Sequence, residues 1–341
     1  MSIVISGMAV VSGLGNETAD FVAGLPAARA GAHPVRVTEA GDDDFGTTRR
    51  VRLRERAAVL AVGALTKLAA GFDLSGVAPA RRAIVLGSAT AGFESYMVVA
   101  KGSLAGAKPY FVDHNRMPPA IMNYTTGQAA VKLELHGPNV TVTAGRASGL
   151  AALTCARRLA AAGRADVVLA GAFEEVTDRR LRIERATGRA SGAVAGEGAC
   201  LFAVQTAEAA ARLGRPVLAE LASTAAGFFT DPADAPETLA RTVARALRLA
   251  GTDTARIGAV VRGAPGDGPL ARHEQAVLAT LAPGARVLDP APAVGDTYGA
   301  LSAFGVATAI VAGTTGDTLV TSMDPDGQVA AAVLRTPGSD A

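Results

Sequence analysis

The sequence predicts a layered α/β fold, and three features of the chain support this class. Short runs rich in Val, Ile and Ala recur along the 341 residues, as expected for strands buried on both faces. Longer segments rich in Ala and Leu separate these runs and have the length of helices. Hydrophobic residues make up 49% of the chain but aromatic residues only 4%, which predicts a core of small, closely packed side chains.

The individual elements follow from the same patterns. Pro236 suits the first turn of a helix, where its missing N–H leaves no hydrogen bond unmade. The polar segment 38–50 is predicted to be a surface loop. Nine apolar runs are predicted strands, at residues 3–6, 83–86, 140–143, 167–170, 199–204, 217–222, 259–261, 318–322 and 329–334. Five segments are predicted helices, at residues 55–70, 149–163, 236–249, 271–281 and 300–312.

Charge and side-chain chemistry exclude several classes of function. The 33 Lys and Arg nearly balance the 31 Asp and Glu, so we predict neither a nucleic-acid partner nor a membrane partner. Cys155 and Cys200 lie in apolar runs and are expected to be buried core residues rather than a disulfide. The four histidines show no metal-ligand spacing, and we predict no metal and no cofactor. The first segment, MSIVISGMAVVSGLG, is too short to span a bilayer and lacks a basic start, which predicts a cytoplasmic chain.

One short stretch, TVTAGRASGL at residues 141–150, reads as a strand that breaks sharply into a helix. Such corners often display a reactive side chain. The residue at this corner is Arg146, which is permanently charged and not nucleophilic.

Several long segments, taken together, resemble one known family. They are VISGMAVVSGLGN, MPPAIMNYTTGQAAVKLELHGPNVTVTAGRASGLAAL, GRADVVLAGAFEE and GEGACLFAV, and they follow the order and spacing of the β-ketoacyl synthases. The second half is similar more thinly, through VVRGAPGDG and VGDTYGAL. The resemblance implies a thiolase-like five-layer α-β-α-β-α fold from two similar halves, residues 1–210 and 211–341, joined as one unit. It also implies dimerisation through the strand before the corner, which here consists of Val140, Thr141, Val142 and Thr143.

The same resemblance assigns the family's catalytic positions. Active members carry a cysteine at the corner and two histidines in the second half, which serve malonyl decarboxylation. The cysteine position is Arg146, the two histidine positions are Arg262 and Asp296, and a lysine position is Ala291. A guanidinium cannot act as a nucleophile, and an aspartate cannot donate a hydrogen bond as a neutral imidazole does. We therefore predict no catalytic residue at these positions.

A buried arginine needs a counter-ion, because an unpaired guanidinium in the interior costs several kcal/mol. The corner and the second histidine position face each other in the family fold. We hypothesise that Arg146 and Asp296 form a buried ion pair that fills the former active site.

The loss of the catalytic residues makes the chain resemble the chain length factors of type II polyketide synthases. This implies heterodimerisation with an active ketosynthase, contact with acyl carrier protein through that complex, and a tunnel for the growing acyl chain. The segment MPPAIMNYTTGQ would supply the tunnel floor at the interface, through Pro118, Ile121, Met122 and Tyr124. The chain is shorter than usual members of aromatic pathways, which favours a highly reducing, polyene-forming pathway.

Two other functions stay open from the residues alone. The chain could be an acyltransferase or thioesterase with a newly arisen site, in which Ser148 is the hydroxyl near the corner. It could also be a homodimeric scaffold or binding protein that uses the fold for docking. The activity and the oligomeric state of the isolated chain distinguish these two functions from the function of an obligate heterodimer.

Overall fold

The computed structural model describes residues 1–26, 33–37 and 55–338 of the chain. Within these residues the chain forms ten strands that belong to one mixed sheet. The strands are β1 (Ile3–Ser12), β2 (Arg82–Gly87), β3 (Asn139–Val142), β4 (Val167–Glu174), β5 (Gly198–Thr206), β6 (Ala219–Phe228), β7 (Ile257–Val261), β8 (Arg286–Leu288), β9 (Asp317–Met323) and β10 (Gln328–Arg335).

Eleven α-helices connect and cover the strands in the described part of the chain. They are α1 (Thr18–Gly24), α2 (Arg56–Phe72), α3 (Phe93–Ala105), α4 (Tyr124–Leu133), α5 (Ser148–Ala161), α6 (Asp178–Ala186), α7 (Ala207–Arg212), α8 (Ala235–Ala250), α9 (Pro269–Leu281), α10 (Ala291–Val294) and α11 (Leu301–Ala312).

The strand order repeats between the two halves of the chain. From each outer edge inward, the order is β3-β2-β4-β5-β1 in the first half and β8-β7-β9-β10-β6 in the second. The halves join where β1 pairs with β6 through only two residue pairs, Val4 with Glu220 and Ile5 with Ala219. The molecule is therefore two five-stranded sheets of like topology with a short connection. The division at residues 210 and 211 remains our proposal, and it falls between β5 and β6.

Helices form three layers around the two sheets. The helices α5 and α11 pack against each other and against strands of both sheets, so they form the central layer. The helix α2 covers the outer face of the first sheet with α4, and α8 covers the outer face of the second with α9. Alternate residues of β2 follow this layering, because Val85 joins the central core and Ile84 and Leu86 join the outer one. The predicted five-layer α-β-α-β-α order is confirmed.

The nine predicted strands and five predicted helices are present, with shifted boundaries. The strand β1 extends to Ser12 because it continues to pair with β5 beyond an irregularity between Ile5 and Gly7. Thr143, predicted to belong to the dimer strand, lies just after β3, because the chain already bends into the corner at Ala144. Patterning did not predict β8 or the other six helices. The strand β8 is short and mostly exposed, and six of the nine residues of α6 (DRRLRIERA) are charged.

Within the described residues, no helix combines the length and the apolar composition needed to cross a bilayer. The predicted surface loop at residues 38–50 lies outside the described residues.

Candidate functional site

The corner between β3 and α5 is built as a tight turn. Gly145 has φ +53°, a left-handed conformation that glycine adopts without strain. The buried hydroxyl of Ser148 donates to the carbonyl of Gly145 at 2.7 Å and accepts the N–H of Ala144 at 2.9 Å. These bonds fix the turn, and they place the side chain of Arg146 in the interior between the two halves.

The guanidinium of Arg146 forms an ion pair with the carboxylate of Asp296, and both side chains are buried, with exposed fractions of 3% and 5%. Asp296 lies between α10 and α11. Its second oxygen accepts the hydroxyl of Ser191 at 2.6 Å, and its first also accepts the N–H of Tyr298 at 3.0 Å. The structure thus brings together the two residues assigned to the cysteine and second histidine positions.

The pair is held in its ionised form. Burial opposes the charge of Asp296, but the guanidinium of Arg146 and the hydrogen bonds from Arg146 and Ser191 outweigh it, so the pKa of Asp296 falls below its ordinary value. Burial likewise opposes the charge of Arg146, and the Asp296 carboxylate outweighs that effect and raises the pKa of Arg146. Neither group is available to accept or donate a proton near neutral pH.

A second buried guanidinium, that of Arg180 in α6, donates hydrogen bonds beside the pair. Sequence reasoning did not predict this residue. It donates to the backbone carbonyl of Asp296 at 3.2 Å, to that of Glu175 at 2.8 Å and to the carboxylate of Glu184 at 2.6 Å. The guanidinium carbons of Arg146 and Arg180 lie 4.8 Å and 5.4 Å from the centre of the Tyr298 ring. A clue in the sequence was the run of arginines in α6, but bonds to distant carbonyls leave no local pattern.

The two remaining assigned positions do not join this cluster. Arg262, just after β7, lies 3.9 Å from the carboxylate of Glu274 and 3.7 Å from that of Asp289. Ala291 is a small buried residue at the start of α10. These positions offer no nucleophile and no general base in line with the corner.

Neither cysteine is suited to act as a nucleophile at the corner. Cys200 is fully buried in β5, where its thiol donates to the carbonyl of Ala303, and Cys155 is half-buried in α5. Burial raises the pKa of both thiols, which keeps them protonated. The four histidines lie in the described part of the chain, and none lines the cavities beside the corner.

Two cavities flank the corner. One, of about 190 Å³, lies beside Arg146 and has largely apolar walls that include Leu270 and Met323. The other, of about 290 Å³, lies on the Thr143 side and is lined by residues that include Phe93 and Tyr298. Within the described residues, no group of His, Cys, Asp and Glu side chains is arranged to hold a metal ion.

The residues assigned to a tunnel floor lie at the surface of this chain. Ile121 and Met122 are 60% and 40% exposed, Pro118 is exposed, and Tyr124 is half-buried against the outer core of the first half. They precede or begin α4, beside the edge strand β3. Further apolar side chains of the 93–131 segment are exposed as well, and sequence reasoning had not singled them out. They are Tyr96, Leu104, Tyr110, Phe111, Met117 and Val131.

Comparison with known proteins defines the class to which this fold and corner belong. The family described as "Beta-ketoacyl synthase, N-terminal domain" matches residues 64–210. The solved structure of the ishigamide ketosynthase/chain length factor is similar with a TM-score of 0.88 and 32% identity, over 99% of this chain and 100% of that one. The chain therefore belongs to the β-ketoacyl synthase family, and the predicted thiolase-like fold is confirmed.

Curated relatives match a smaller share of the chain. A granaticin polyketide putative β-ketoacyl synthase 1 from Streptomyces violaceoruber is 28% identical over 64% of this chain and 62% of its own length. A 3-oxoacyl-[acyl-carrier-protein] synthase 2 from Coxiella burnetii is 25% identical over 64% of this chain and 61% of its own length. The chain thus aligns with about three fifths of the length of these relatives.

Proposed function

We propose that this chain is a chain length factor, a non-catalytic subunit that pairs with an active ketosynthase and shapes the tunnel for the growing acyl chain. The observation that carries the proposal is the buried Arg146–Asp296 ion pair, which occupies the corner where a nucleophile would stand. The similarity to the ishigamide ketosynthase/chain length factor supports it.

The sheet edge and its neighbours support a partner subunit. The strand β3 is the outermost strand of the first half, and among the described strands only β2 pairs with it. Exposed apolar side chains are frequent in residues 93–131, which include α3 and the segment before α4. An open strand edge beside exposed apolar residues suits a large subunit interface that also satisfies the free backbone groups.

The partner would supply the chemistry that this chain lacks. In this proposal the ketosynthase binds acyl carrier protein and carries the cysteine and histidines. Pro118, Ile121, Met122 and Tyr124 would then line the far end of the acyl tunnel at the interface. A highly reducing pathway stays a prediction from chain length alone.

The test is reconstitution with the cognate ketosynthase, recovered by affinity purification of this chain from its source organism. We expect acyl-chain extension on carrier protein, followed by mass spectrometry, to require both subunits and the cysteine of the ketosynthase. This chain alone should neither decarboxylate malonyl thioester nor extend an acyl chain. Condensation by this chain alone would contradict the proposal.

The two alternatives give different results in the same preparation. Thioester hydrolysis by the isolated chain, abolished in Ser148→Ala, would favour a re-invented hydrolase. The hydrogen bonds of the Ser148 hydroxyl within the corner speak against that outcome. A soluble, monodisperse homodimer of the isolated chain would favour the scaffold.

A further inference from the structure

A third carboxylate reaches the corner, and the ion pair does not explain it. Asp324 lies in the turn between β9 and β10, where its N–H donates to the carbonyl of Gln328 at 2.8 Å. Its side chain accepts the backbone N–H of Arg146 at 2.8 Å and the N–H of Asp326 at 2.8 Å. The bond to Asp326 is local and common in turns, whereas the bond to Arg146 joins residues 178 positions apart.

Asp324 is a costly residue at this place. It is fully buried, and among the described residues no cation lies within ion-pair distance of its carboxylate. The guanidinium of Arg146 pairs with Asp296 instead, so at Asp324 it acts only as a nearby charge, and backbone N–H groups make the hydrogen bonds that hold the carboxylate. A buried carboxyl without a paired cation destabilises a protein unless hydrogen bonds hold it.

The backbone of the corner accommodates this carboxylate closely. A Cβ atom at position 145 would collide with the carboxylate of Asp324, so glycine there is needed both for its φ and for this approach. Backbone N–H groups that point into one concavity can bind an anion. The N–H of Arg146 and the N–H of Asp326 converge in this way on the two oxygens of one carboxylate.

We propose that Asp324 is a built-in ligand, whose carboxylate fills an oxyanion-binding nest formed by the N–H groups of Arg146 and Asp326. Two groups therefore occupy the corner. The Arg146–Asp296 pair fills the place of a nucleophile, and the Asp324 carboxylate keeps any other carbonyl or carboxylate ligand out of the nest. Without the Asp324 carboxylate, the nest is a binding site for small carboxylates. The hydrogen bonds to Asp324 form this nest whether or not the chain is a chain length factor.

The experiment removes the side-chain carboxylate of Asp324 and supplies formate in solution in its place. Asp324→Ala removes one carbon and two oxygens, which are also the heavy atoms of formate, so formate is the probe. We expect Asp324→Ala to have a lower Tm than the wild type in chloride, and its Tm to rise with formate concentration and then saturate. Formamide, which has the same shape without the charge, should not raise the Tm. The Tm of the wild type, whose nest is filled by Asp324, should change equally in formate and in chloride at equal ionic strength.

A matched control comes from the same turn. Asp326→Ala removes an exposed carboxylate that pairs with Arg189 but retains the N–H donor of the nest, so formate should have no specific effect on it. If Asp324→Ala does not fold in chloride, the yield of refolding in formate against chloride becomes the readout. Equal effects of formate and chloride on Asp324→Ala, in Tm or in refolding yield, would overturn the proposal.

Discussion

At the scale of single residues, the corner between β3 and α5 holds a buried ion pair, Arg146 with Asp296. Two buried charges gain little net stability from each other, because desolvation offsets their attraction. Once both are present, however, removing one leaves the other buried and uncompensated. The neighbouring bonds from Ser191, Tyr298 and Arg180 tie the Asp296 segment to this arrangement.

We expect Arg146→Ala to lower the free energy of unfolding by about 3–5 kcal/mol, the cost of breaking a buried pair by removing one partner. The control is Arg241→Ala, whose pair with Glu237 is on the surface of α8 and should be worth at most about 1 kcal/mol. Urea unfolding of the two variants measures both values. Equal losses in the two variants would show that the corner pair is not a buried structural unit.

Glu175, just after β4, predicts a dependence of stability on pH. Burial, the largest cause, and the neighbouring carboxyl of Glu55 raise the pKa of Glu175 to about 8. The pKa of an unfolded glutamate is about 4.3. In the pH window between the unfolded and the folded pKa of Glu175, the folded chain holds a proton that the unfolded chain has released. The stability that comes from this proton is fully present below the window, falls as pH rises through it, and levels off above it.

Glu175→Gln cannot ionise but retains an oxygen to accept the N–H of Ala57, which the wild-type carboxyl group accepts at 3.1 Å. We expect it to remove the part of the pH slope due to Glu175, about 1.4 kcal/mol for each unit by which the pKa is shifted. Urea unfolding between pH 5 and pH 8.5 measures the slopes. The exposed variant Glu237→Gln should retain the wild-type slope, and a wild-type slope in Glu175→Gln as well would contradict the prediction.

Some of the site was predictable from the sequence and some was not. Arg146 and Asp296 could be paired in advance because each stands in a motif whose place in the fold is known. Arg180 and Ser191 contact Asp296 from segments without such a motif. Asp324 accepts the backbone N–H of Arg146. Every residue except proline has such a group, so no residue type in the sequence indicates this contact. Local patterns therefore identify which side chains are present at a corner, but not which distant segments close it.

At the scale of elements, β3 is one of the two edge strands among the described residues, and there it pairs with β2 alone. The carbonyls of Pro138 and Val142 accept N–H groups of Ile84 and Ser88, so these positions face β2. In a parallel pair, backbone groups two residues apart point the same way. By alternation Val140 also faces β2, whereas the backbone N–H and carbonyl of Thr141 point to the open edge.

This geometry predicts the effect of a proline in β3. Thr141→Pro removes an outward N–H and no bond to β2, so we expect weaker binding to the ketosynthase, about tenfold for one lost hydrogen bond. Thr141→Val is the matched control, because it loses only the hydroxyl that contacts the hydroxyl of Thr126 at 2.9 Å. Dissociation of each co-expressed heterodimer on dilution, followed by light scattering, measures both affinities. Unchanged affinity of Thr141→Pro would exclude pairing through this edge.

Pattern reasoning at this scale worked where elements are buried and failed where they are exposed. The strand β4 is buried along its whole length and reads as a continuous apolar run. The strand β8 is short and mostly exposed, and α3 buries only Ser95, so neither carries a periodic apolar signal. The five-layer order could be predicted only through the family resemblance, because layer count depends on how two halves pack and not on either half alone.

At the scale of the whole molecule, the exposed apolar segment 93–131 predicts how the chain behaves alone. Its exposed residues would lie in water without the partner, so we expect self-association or low solubility of the isolated chain, relieved by co-expression with the ketosynthase. Size-exclusion chromatography with light scattering measures both states. A stable, soluble monomer at micromolar concentration would contradict an obligate heterodimer.

The tunnel-floor assignment makes a prediction about product size. Ile121 and Met122 are exposed in this chain and precede α4, so glycine at either position shortens a side chain without breaking the helix. If these side chains end the tunnel, Ile121→Gly or Met122→Gly in the reconstituted heterodimer makes room for about one more extension unit and shifts the products to higher mass. Val217→Gly, at an exposed loop position before β6 in the other half, is the control and should leave the product distribution unchanged. Mass spectrometry of the carrier-bound products measures the shift. Identical distributions in all three variants would remove both residues from the tunnel floor and leave them as ordinary interface contacts.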